Sequence, residues 1–372
     1  MAEARLIIAA SERDADLYYA TRFLAPDPFP FFQIGTERVM MASDLELGRA
    51  RNQAAVETIL PLRSYEERAR ERITQPTLLD AVDEVLRERG VQHLVVPGNF
   101  PTEHADTLRS RGYELRVKAG IFFEERLVKS EVEIGWIDEA QRWAEEAMGM
   151  AIQAIREAEI RGHALYRAGE PLTSEGVRKL IQHALLDRDC FAEHTIVAGG
   201  EHGSDPHHEG TGPLSPHQPI VIDIFPRSSR TRYFADITRT VVRGRASSRV
   251  RQMYEAVLQA QAHALASIRH EADGAAIHEE VTAVFEGLGF RSGEVNGRMQ
   301  GFFHGTGHGL GLEIHESPRI GKRGAILRSG NVVTVEPGLY YPGEGGVRIE
   351  DVVVVTKTGC RNLTRFEKLL EL

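Results

Sequence analysis

Residues 304–316, with the sequence HGTGHGLGLEIHE, constrain the fold of this chain more than any other stretch. Three histidines stand in a glycine-rich run, and acidic motifs lie on both sides of it. Upstream are IDI and ADITR, which contain Asp223 and Asp236, and downstream are VEPG and RIED, which contain Glu336 and Glu350. Apolar or β-branched residues flank each carboxylate, a pattern typical of half-buried strands. Because uncompensated buried carboxylates are very costly, their convergence with a histidine predicts bound cations.

These four carboxylates and the imidazole of His308 form a candidate ligand set for two divalent cations. An oxygen-rich site with one imidazole favours Mn²⁺, with Co²⁺, Fe²⁺ and Zn²⁺ as alternatives. Two such ions can share a hydroxide and hold an attacking and a leaving group. Taken singly, each motif also fits a structural role, such as a strand-end cap, a turn or a hydrogen-bonded core histidine. The specificity lies in the ordered set of five.

Length and composition restrict the class of protein. The chain has 372 residues, more than one ordinary core holds, which predicts two domains. The hydrophobic fraction of 42% and the charged fraction of 27% are typical of soluble globular proteins. A formal net charge of −9 without a long basic run argues against a nucleic-acid partner. No apolar stretch approaches the roughly 20 residues of a membrane span, so no membrane association is expected.

The cysteines indicate the compartment. Only Cys190 and Cys360 are present, and free thiols in a reducing cytoplasm are favoured over a disulfide between them. The N-terminal residues lack the pattern of a signal peptide. We therefore expect a cytoplasmic protein.

The pattern of elements changes near residue 129. Apolar runs alternate with helical periodicity up to about residue 123, which predicts a small α/β domain. Ser130 is then a plausible N-cap with Glu131 and Glu133 in the first helical turn. Further helices are predicted at 173–186, 248–268 and 275–288, with β-rich segments between and after them. We place the domains at 1–128 and 129–372.

The ordered motifs resemble the pita-bread metallopeptidases, which comprise Xaa-Pro dipeptidases (prolidases), Xaa-Pro aminopeptidases and methionine aminopeptidases. The resemblance covers the chain from Lys129 to its end. It implies an α+β protein with a C-terminal pita-bread catalytic domain. Residues 1–128 resemble the smaller creatinase-like α/β domain of prolidases and Xaa-Pro aminopeptidases in size and pattern. Methionine aminopeptidases often lack that domain, which disfavours them.

The resemblance also implies the role of each metal ligand. Asp236 and Glu350 would bridge both ions, Asp223 would hold one ion, and His308 and Glu336 would hold the other. The hydroxide between the ions would attack the scissile carbonyl. Glu336 would also relay the proton of that bridging water.

Further residues are implied to act on the substrate. His315 would contact the substrate and stabilise the tetrahedral intermediate, and His304 would form an outer wall of the pocket. A family histidine that follows a proline matches His207 in the sequence DPHH, with the adjacent His208 as the alternative. Arg348, together with a tyrosine three residues before Asp236, Tyr233, would support the metal ligands.

The sequence departs from the family between its two aspartates. A Gly-Ala pair usually follows the first aspartate, whereas IFP follows Asp223 here, and a basic hairpin at 227–232 leads to Asp236. The connection is two residues longer than usual. A two-residue step preserves side-chain direction along a strand, so both aspartates are kept as ligands.

Arg319 bears on the choice of substrate. It follows His315 by four residues in HESPR, where prolidases carry an arginine thought to hold the free carboxylate of a dipeptide. The planar guanidinium suits this task because it binds a carboxylate through two hydrogen bonds. We therefore predict an Xaa-Pro dipeptidase whose substrate has proline at the second position, and the family resemblance implies a homodimer.

Three other functions remain as alternatives. An Xaa-Pro aminopeptidase would act on longer peptides with proline second. A non-catalytic pita-bread binding module or histone chaperone would carry a degenerate metal site, and a creatinase-like amidinohydrolase would lack this ligand set. Retention of all five ligands argues against the last two.

Overall fold

The computed structural model describes residues 2–372, and the chain divides into two compact units between Arg126 and Leu127. The helices are α1 (Ala15–Thr21), α2 (Asp44–Gln53), α3 (Leu62–Arg70), α4 (Leu78–Glu88), α5 (Thr102–Ser110), α6 (Glu131–Arg156), α7 (Ser174–Leu186), α8 (Ser248–Ser267) and α9 (Gly274–Gly287), with 3-10 turns at Glu124–Leu127 and Gly200–Ser204. Across residues 2–372, none of the helices combines the length and apolar character needed to span a membrane.

The strands belong to seven sheets within the described residues. They are β1 (Ala2–Ala9), β2 (Phe29–Ile34), β3 (Glu37–Ala42), β4 (Thr58–Pro61), β5 (Val91–Pro97), β6 (Glu114–Lys118), β7 (Glu159–Arg161), β8 (Ala164–Arg167), β9 (Glu170–Pro171), β10 (Cys190–Phe191), β11 (Ile196–Gly199), β12 (Ile220–Ile224), β13 (Arg227–Ser228), β14 (Ile237–Val241), β15 (Gly293–Val295), β16 (Arg298–Gln300), β17 (Gly307–Gly309), β18 (Glu316–Ile320), β19 (Val332–Val335), β20 (Gly338–Tyr341), β21 (Gly345–Arg348), β22 (Asp351–Val355) and β23 (Cys360–Asn362).

The N-terminal unit is built on one mixed sheet with the order β4-β3-β2-β1-β5-β6. Successive side chains of β1 point to opposite faces, as strand geometry requires. Leu6 and Ile8 join a core with α3, α4 and α5, whereas Ile7 joins a second core with α1 and α2. The sheet is thus covered by helices on both faces, and the predicted α/β character of this part is confirmed.

The C-terminal unit contains two halves of similar design. In its first half, α6 and α7 pack with the antiparallel sheet β11-β12-β14 around one apolar core. In its second half, α8 and α9 pack with the sheet β18-β17-β19-β22-β23 around another. The predicted ligands lie on or directly next to the buried strands of these two halves.

α6 begins after Ser130, the capping residue that the sequence predicts. Ser130 Oγ accepts a hydrogen bond from Glu133 N at 3.4 Å, and the Glu133 carboxylate accepts one from Ser130 N at 2.9 Å. This reciprocal pair is a capping box, which satisfies two backbone donors at the start of α6. The helices predicted at 173–186, 248–268 and 275–288 are confirmed as α7, α8 and α9.

Candidate metal centre and active site

The two aspartates come from neighbouring antiparallel strands of the first half. Asp223 lies on β12, and Asp236 directly precedes β14. Between them, the basic segment 227–232 turns back on itself, and Ala235 N donates a hydrogen bond to Pro226 O at 2.9 Å. The turn takes up the additional length, so both carboxylates line the same cavity.

The remaining ligand candidates come from the second half. His308 is the central residue of β17, Glu336 directly follows β19, and Glu350 lies between β21 and β22. β17 and β19 are paired in the same sheet, which brings His308 and Glu336 together. Because all the residues of these strands are buried, the ligand groups are held on a rigid frame.

Three of the candidate ligand residues lie close enough together to hold one cation. One atom each of Asp236, His308 and Glu350 lies within 4.8 Å of the others. His308 Nε2 is 3.7 Å from Asp236 Oδ2 and 3.4 Å from Glu336 Oε1. Asp223 lines the same cavity, and its Oδ2 accepts a hydrogen bond from Arg348 Nη2 at 2.7 Å.

The donor chemistry of this cluster fits divalent cations. Asp223 Oδ1 and Glu350 Oε1 are buried without a hydrogen-bond partner, which is costly unless a ligand compensates. Burial, followed by repulsion from Glu350, Asp223 and Glu336, raises the pKa of Asp236 well above its usual range. Burial lowers the pKa of His308 to about 3, so its imidazole is neutral and free to bind a metal.

Two threonines support the carboxylates. Thr238 Oγ1 donates to Glu350 Oε2 at 2.7 Å, and Thr334 Oγ1 lies 3.4 Å from Glu336 Oε1. Burial raises the pKa of Glu336 to about 7, although the nearby Arg348 opposes this. Sequence reasoning missed both threonines. Each lies two residues from a ligand, and the two-residue period of a strand could have identified them.

A hydrogen-bonded chain leads from Asp223 to the predicted pocket wall. Arg348 bonds to Asp223 and also donates to Tyr340 Oη at 2.7 Å, and His304 Nε2 is 3.0 Å from the same hydroxyl. Burial raises the pKa of Tyr340 to about 12 and lowers that of His304 to about 3. Arg348 and His304 are thereby linked by a tyrosine that the sequence analysis did not single out.

All the ligand candidates open into one cavity of about 740 Å³. It is also lined by the other candidate residues, namely His207, His304, His315, Arg319 and Arg348. The His315 ring meets the His308 ring edge to face at 4.4 Å. His208 stacks on His202 with ring centres 4.2 Å apart, so it is His207 that lies along the cavity. Arg319 stands opposite His308 across the β17–β18 pair.

Comparison with known proteins is consistent with this geometry. The model of metallopeptidase family M24 matches residues 135–357. An Xaa-Pro dipeptidase from Pyrococcus horikoshii is 30% identical over 285 residues, which cover 76% of this chain and 75% of the relative. The protein therefore belongs to metallopeptidase family M24 and is a metal-dependent peptidase.

Solved structures confirm the fold over the entire chain. An Xaa-Pro dipeptidase from Bacillus anthracis has a TM-score of 0.83 at 24% identity and covers 100% of this chain and 95% of its own. An X-Pro aminopeptidase from Thermotoga maritima has a TM-score of 0.83 at 23% identity, with coverages of 100% and 98%. The predicted α+β architecture, with a pita-bread catalytic fold after a smaller N-terminal α/β domain, is confirmed.

Proposed function

We propose that this protein is an Xaa-Pro dipeptidase, which hydrolyses the bond between an N-terminal residue and a C-terminal proline. The observation that carries this proposal is the position of Arg319. It lines the same cavity as the five ligand candidates and pairs across β17–β18 with His308. The similarity to the Pyrococcus horikoshii Xaa-Pro dipeptidase supports the proposal.

Two divalent metal ions, with Mn²⁺ preferred, complete the site in this proposal. Asp236 and Glu350 would serve both ions, Asp223 one ion, and His308 and Glu336 the other. Such a pair of ions polarises a carbonyl group and provides hydroxide at neutral pH. The preference for Mn²⁺ follows from four carboxylates and a single imidazole.

Glu336 is assigned to proton transfer. Its carboxylate lies within 3.4 Å of His308 Nε2 and is 18% exposed, so it reaches the cavity from a largely dry position. A carboxyl whose pKa is raised towards neutrality can both accept and return a proton, although bound cations would lower that pKa again. Glu336 Oε1 would accept a proton from the attacking water and pass it to the proline nitrogen as the peptide bond breaks.

Two histidines are assigned to the developing negative charge on the carbonyl oxygen. His315 and His207 are both exposed to the cavity. Burial lowers the pKa of His315, so a neutral ring would donate an N–H hydrogen bond to the oxyanion of the tetrahedral intermediate. Donors that are already in place stabilise such charge without reorganisation. His304 would close the pocket as a wall held by Tyr340.

Arg319 would limit the length of the substrate. The carboxylate of an Xaa-Pro dipeptide lies directly beyond the proline ring, at a fixed short distance from the scissile carbonyl. A guanidinium can bind it through two charge-assisted hydrogen bonds. A longer peptide would place an uncharged amide there and lose this interaction.

The test is a comparison of Ala-Pro with Ala-Pro-Ala as substrates, each with added Mn²⁺. A dipeptidase should cleave Ala-Pro efficiently and Ala-Pro-Ala poorly, and a chelator should abolish both activities. Equal cleavage of the tripeptide would replace this proposal with an Xaa-Pro aminopeptidase. Full turnover after complete metal removal would contradict the metal-dependent mechanism.

We also propose a cytoplasmic homodimer in which residues 1–128 and 129–372 act as separate domains. Cys190 and Cys360 are both free thiols, as is typical of a reducing compartment. The homodimer follows from the family resemblance, and light scattering coupled to size-exclusion chromatography would test it.

A further inference from the structure

A buried ion pair lies close to the candidate site, and none of the roles above uses it. Lys129 Nζ donates to Glu316 Oε1, and the two side chains are only 2% and 1% exposed. Removing two charges from water costs as much as or more than their attraction returns, so a buried pair contributes little stability compared with apolar packing. The ion pair would instead favour one conformation of the surrounding chain over the alternatives.

Glu316 supports the loop that carries His315. It directly follows His315, and its backbone pairs with Gly309 in β17, next to His308. Its carboxylate packs beneath the preceding loop, residues 310–315. A Cβ placed on Gly311 would lie 2.7 Å from Glu316 Oε1, which shows how closely carboxylate and backbone approach.

Lys129 projects from a segment that is itself held in place. Its backbone N donates to Gly330 O at 2.8 Å, and Leu127 O accepts a hydrogen bond from Asn331 Nδ2 at 2.6 Å. The capping box of Ser130 follows immediately. The backbone that carries the Lys129 side chain is therefore held in place at the start of α6.

The same helix start also holds the segment before Asp236. Tyr233 Oη donates to Glu133 Oε1 at 2.5 Å in the first turn of α6. The next residue, Phe234, donates its backbone N–H to Gly311 O at 2.9 Å. The segment leading to Asp236 and the loop leading to His315 thus meet at the first turn of α6.

We propose that Lys129 is a positioning residue for His315, acting through Glu316 and the loop 310–315. This inference rests on the proposed function, because it takes His315 as a group that contacts the substrate. Lys129 holds the Glu316 carboxylate beneath Gly311, and the loop then has one position from which His315 faces His308. Without the ammonium group, His315 would occupy a wider range of positions.

The decisive experiment introduces Lys129→Met into the wild-type enzyme and into a His315→Ala variant, each loaded with Mn²⁺. In the wild-type background, kcat for Ala-Pro should fall about tenfold to a hundredfold, the scale expected for misplacing a catalytic group by about 1 Å. KM and bound metal should not change. In the His315→Ala background, Lys129→Met should cause no further loss, because the group it positions is gone.

A second measurement does not depend on catalysis. Amide hydrogen exchange in 310–316 should accelerate in Lys129→Met and remain unchanged in Ile181→Ala, a control that weakens the core on α7. Gly311→Ala should reproduce the kcat loss, since its Cβ would displace the Glu316 carboxylate. If Lys129→Met does not fold, the double variant Lys129→Met/Glu316→Gln also removes the negative charge that faced the lost ammonium group and is expected to show the same losses.

Several outcomes would overturn the positioning role. These are an unchanged kcat, equal losses in both backgrounds, loss of bound metal, or unchanged exchange in 310–316. If the wild-type protein cleaves no Xaa-Pro peptide, the proposed function fails, and the exchange measurement still decides whether Lys129 orders the loop.

Discussion

Asp236 stands at the centre of the acidic cluster. Its Oδ2 is 3.7 Å from His308 Nε2, and Glu350 and Asp223 are the two charges that contribute most, after burial, to its raised pKa. Asp223, by contrast, has one carboxylate oxygen bonded to Arg348. At the scale of single residues, the two aspartates therefore differ in their charged neighbours. Asp236 lies next to His308 and among other carboxylates, whereas Asp223 is paired with Arg348.

This difference predicts unequal metal loss. Asp236→Ala should lose most of the bound metal, because the proposal assigns Asp236 to both ions, whereas Asp223→Ala should retain part of it. Elemental analysis after equilibration with Mn²⁺ and desalting measures the ratio of metal to protein. If Asp236→Ala bound as much metal as the wild type, the shared-ligand assignment would be wrong.

The histidines should separate chemistry from metal binding. His315→Ala should lower kcat by about 10²–10³, the usual cost of removing an oxyanion donor, while metal content stays at the wild-type level. His308→Ala should lose metal, because its neutral imidazole faces the carboxylates directly. Kinetics and elemental analysis of both variants provide the test, and the reverse pattern would contradict the choice of His308 as ligand.

Arg319 should determine length selectivity. A partly desolvated charge-assisted pair contributes roughly 1.5–3 kcal/mol, or about one to two powers of ten in kcat/KM. Arg319→Ala should weaken cleavage of Ala-Pro by about that factor and affect Ala-Pro-Ala much less. Equal effects on the two peptides would show that Arg319 does not bind the dipeptide carboxylate.

At the scale of elements, β17 depends on close backbone approach to its neighbours. A Cβ on Gly307 would lie 1.9 Å from Thr334 O, and one on Gly309 would lie 2.4 Å from Ser317 O. β18 and β19 therefore approach β17 so closely that neither of the residues next to His308 has room for a side chain. The glycines of this motif allow a ligand strand to lie this close to both of its partners.

Gly307→Ala should therefore separate β17 from β19. We expect the free energy of unfolding to fall by about 1–3 kcal/mol, the usual cost of overpacking. Metal binding should also become weaker. Gly287→Ala is the matched control, since its Cβ meets nothing within 4 Å at the exposed end of α9, and it should be neutral or slightly stabilising. Chemical denaturation of both variants checks this, and equal stabilities would argue against the packing constraint.

At the scale of the whole molecule, the centre is assembled from two separate cores. Asp223 and Asp236 belong to the half built on β11-β12-β14, and His308, Glu336 and Glu350 to the half built on β17 and its neighbours. Without cations, the carboxylates of the two halves repel one another, and in the proposed site bound cations would hold them together. Metal binding should thus be linked to global stability.

The stability of the metal-free protein should change with pH in a definite direction. The pKa values of Asp236 and Glu350 are raised by burial and mutual repulsion, and that of Glu336 is raised to about 7. Stability from a group with a raised folded-state pKa is present below its unfolded value and is lost as pH rises through its folded value. The pKa values of His304 and His308 are lowered to about 3, so their contribution to stability rises with pH up to the unfolded histidine value of about 6.5 and opposes that of the carboxylates below it. The metal-free protein should therefore become less stable as pH rises from about 6.5 through about 7, the folded-state pKa of Glu336.

Thermal unfolding with a chelator and with Mn²⁺ measures this effect. The melting temperature of metal-free protein should fall across that range, and the increment due to Mn²⁺ should grow, because deprotonated ligands bind metal more tightly. The double variant Asp236→Asn/Glu350→Gln should show a much flatter metal-free profile. A wild-type metal-free profile without any fall would contradict the proposed repulsion.

Much of the candidate site was predictable because its candidate ligands are local features of buried strands or of their ends. Apolar neighbours identify Asp223, Asp236 and Glu350 as carboxylates on or next to buried strands, and the glycines on either side of His308 identify a strand that its neighbours approach closely. Thr238 could have been predicted too, since it lies on β14, two residues after Asp236. Tyr340 could not, because its bonds to Arg348 and His304 depend on how β20 and β21 pair.

The sequence by itself determined where elements such as α6 begin and which residue types form the candidate metal site. Caps such as Ser130 act within four residues, and strand patterns act through alternate neighbours, so both can be read locally. Only the tertiary structure decided that Lys129 meets Glu316, 187 positions away, and that His207 lies along the cavity while His208 stacks on His202. Such contacts depend on the packing of separate cores and on the conformation of one loop, and no local periodicity encodes them.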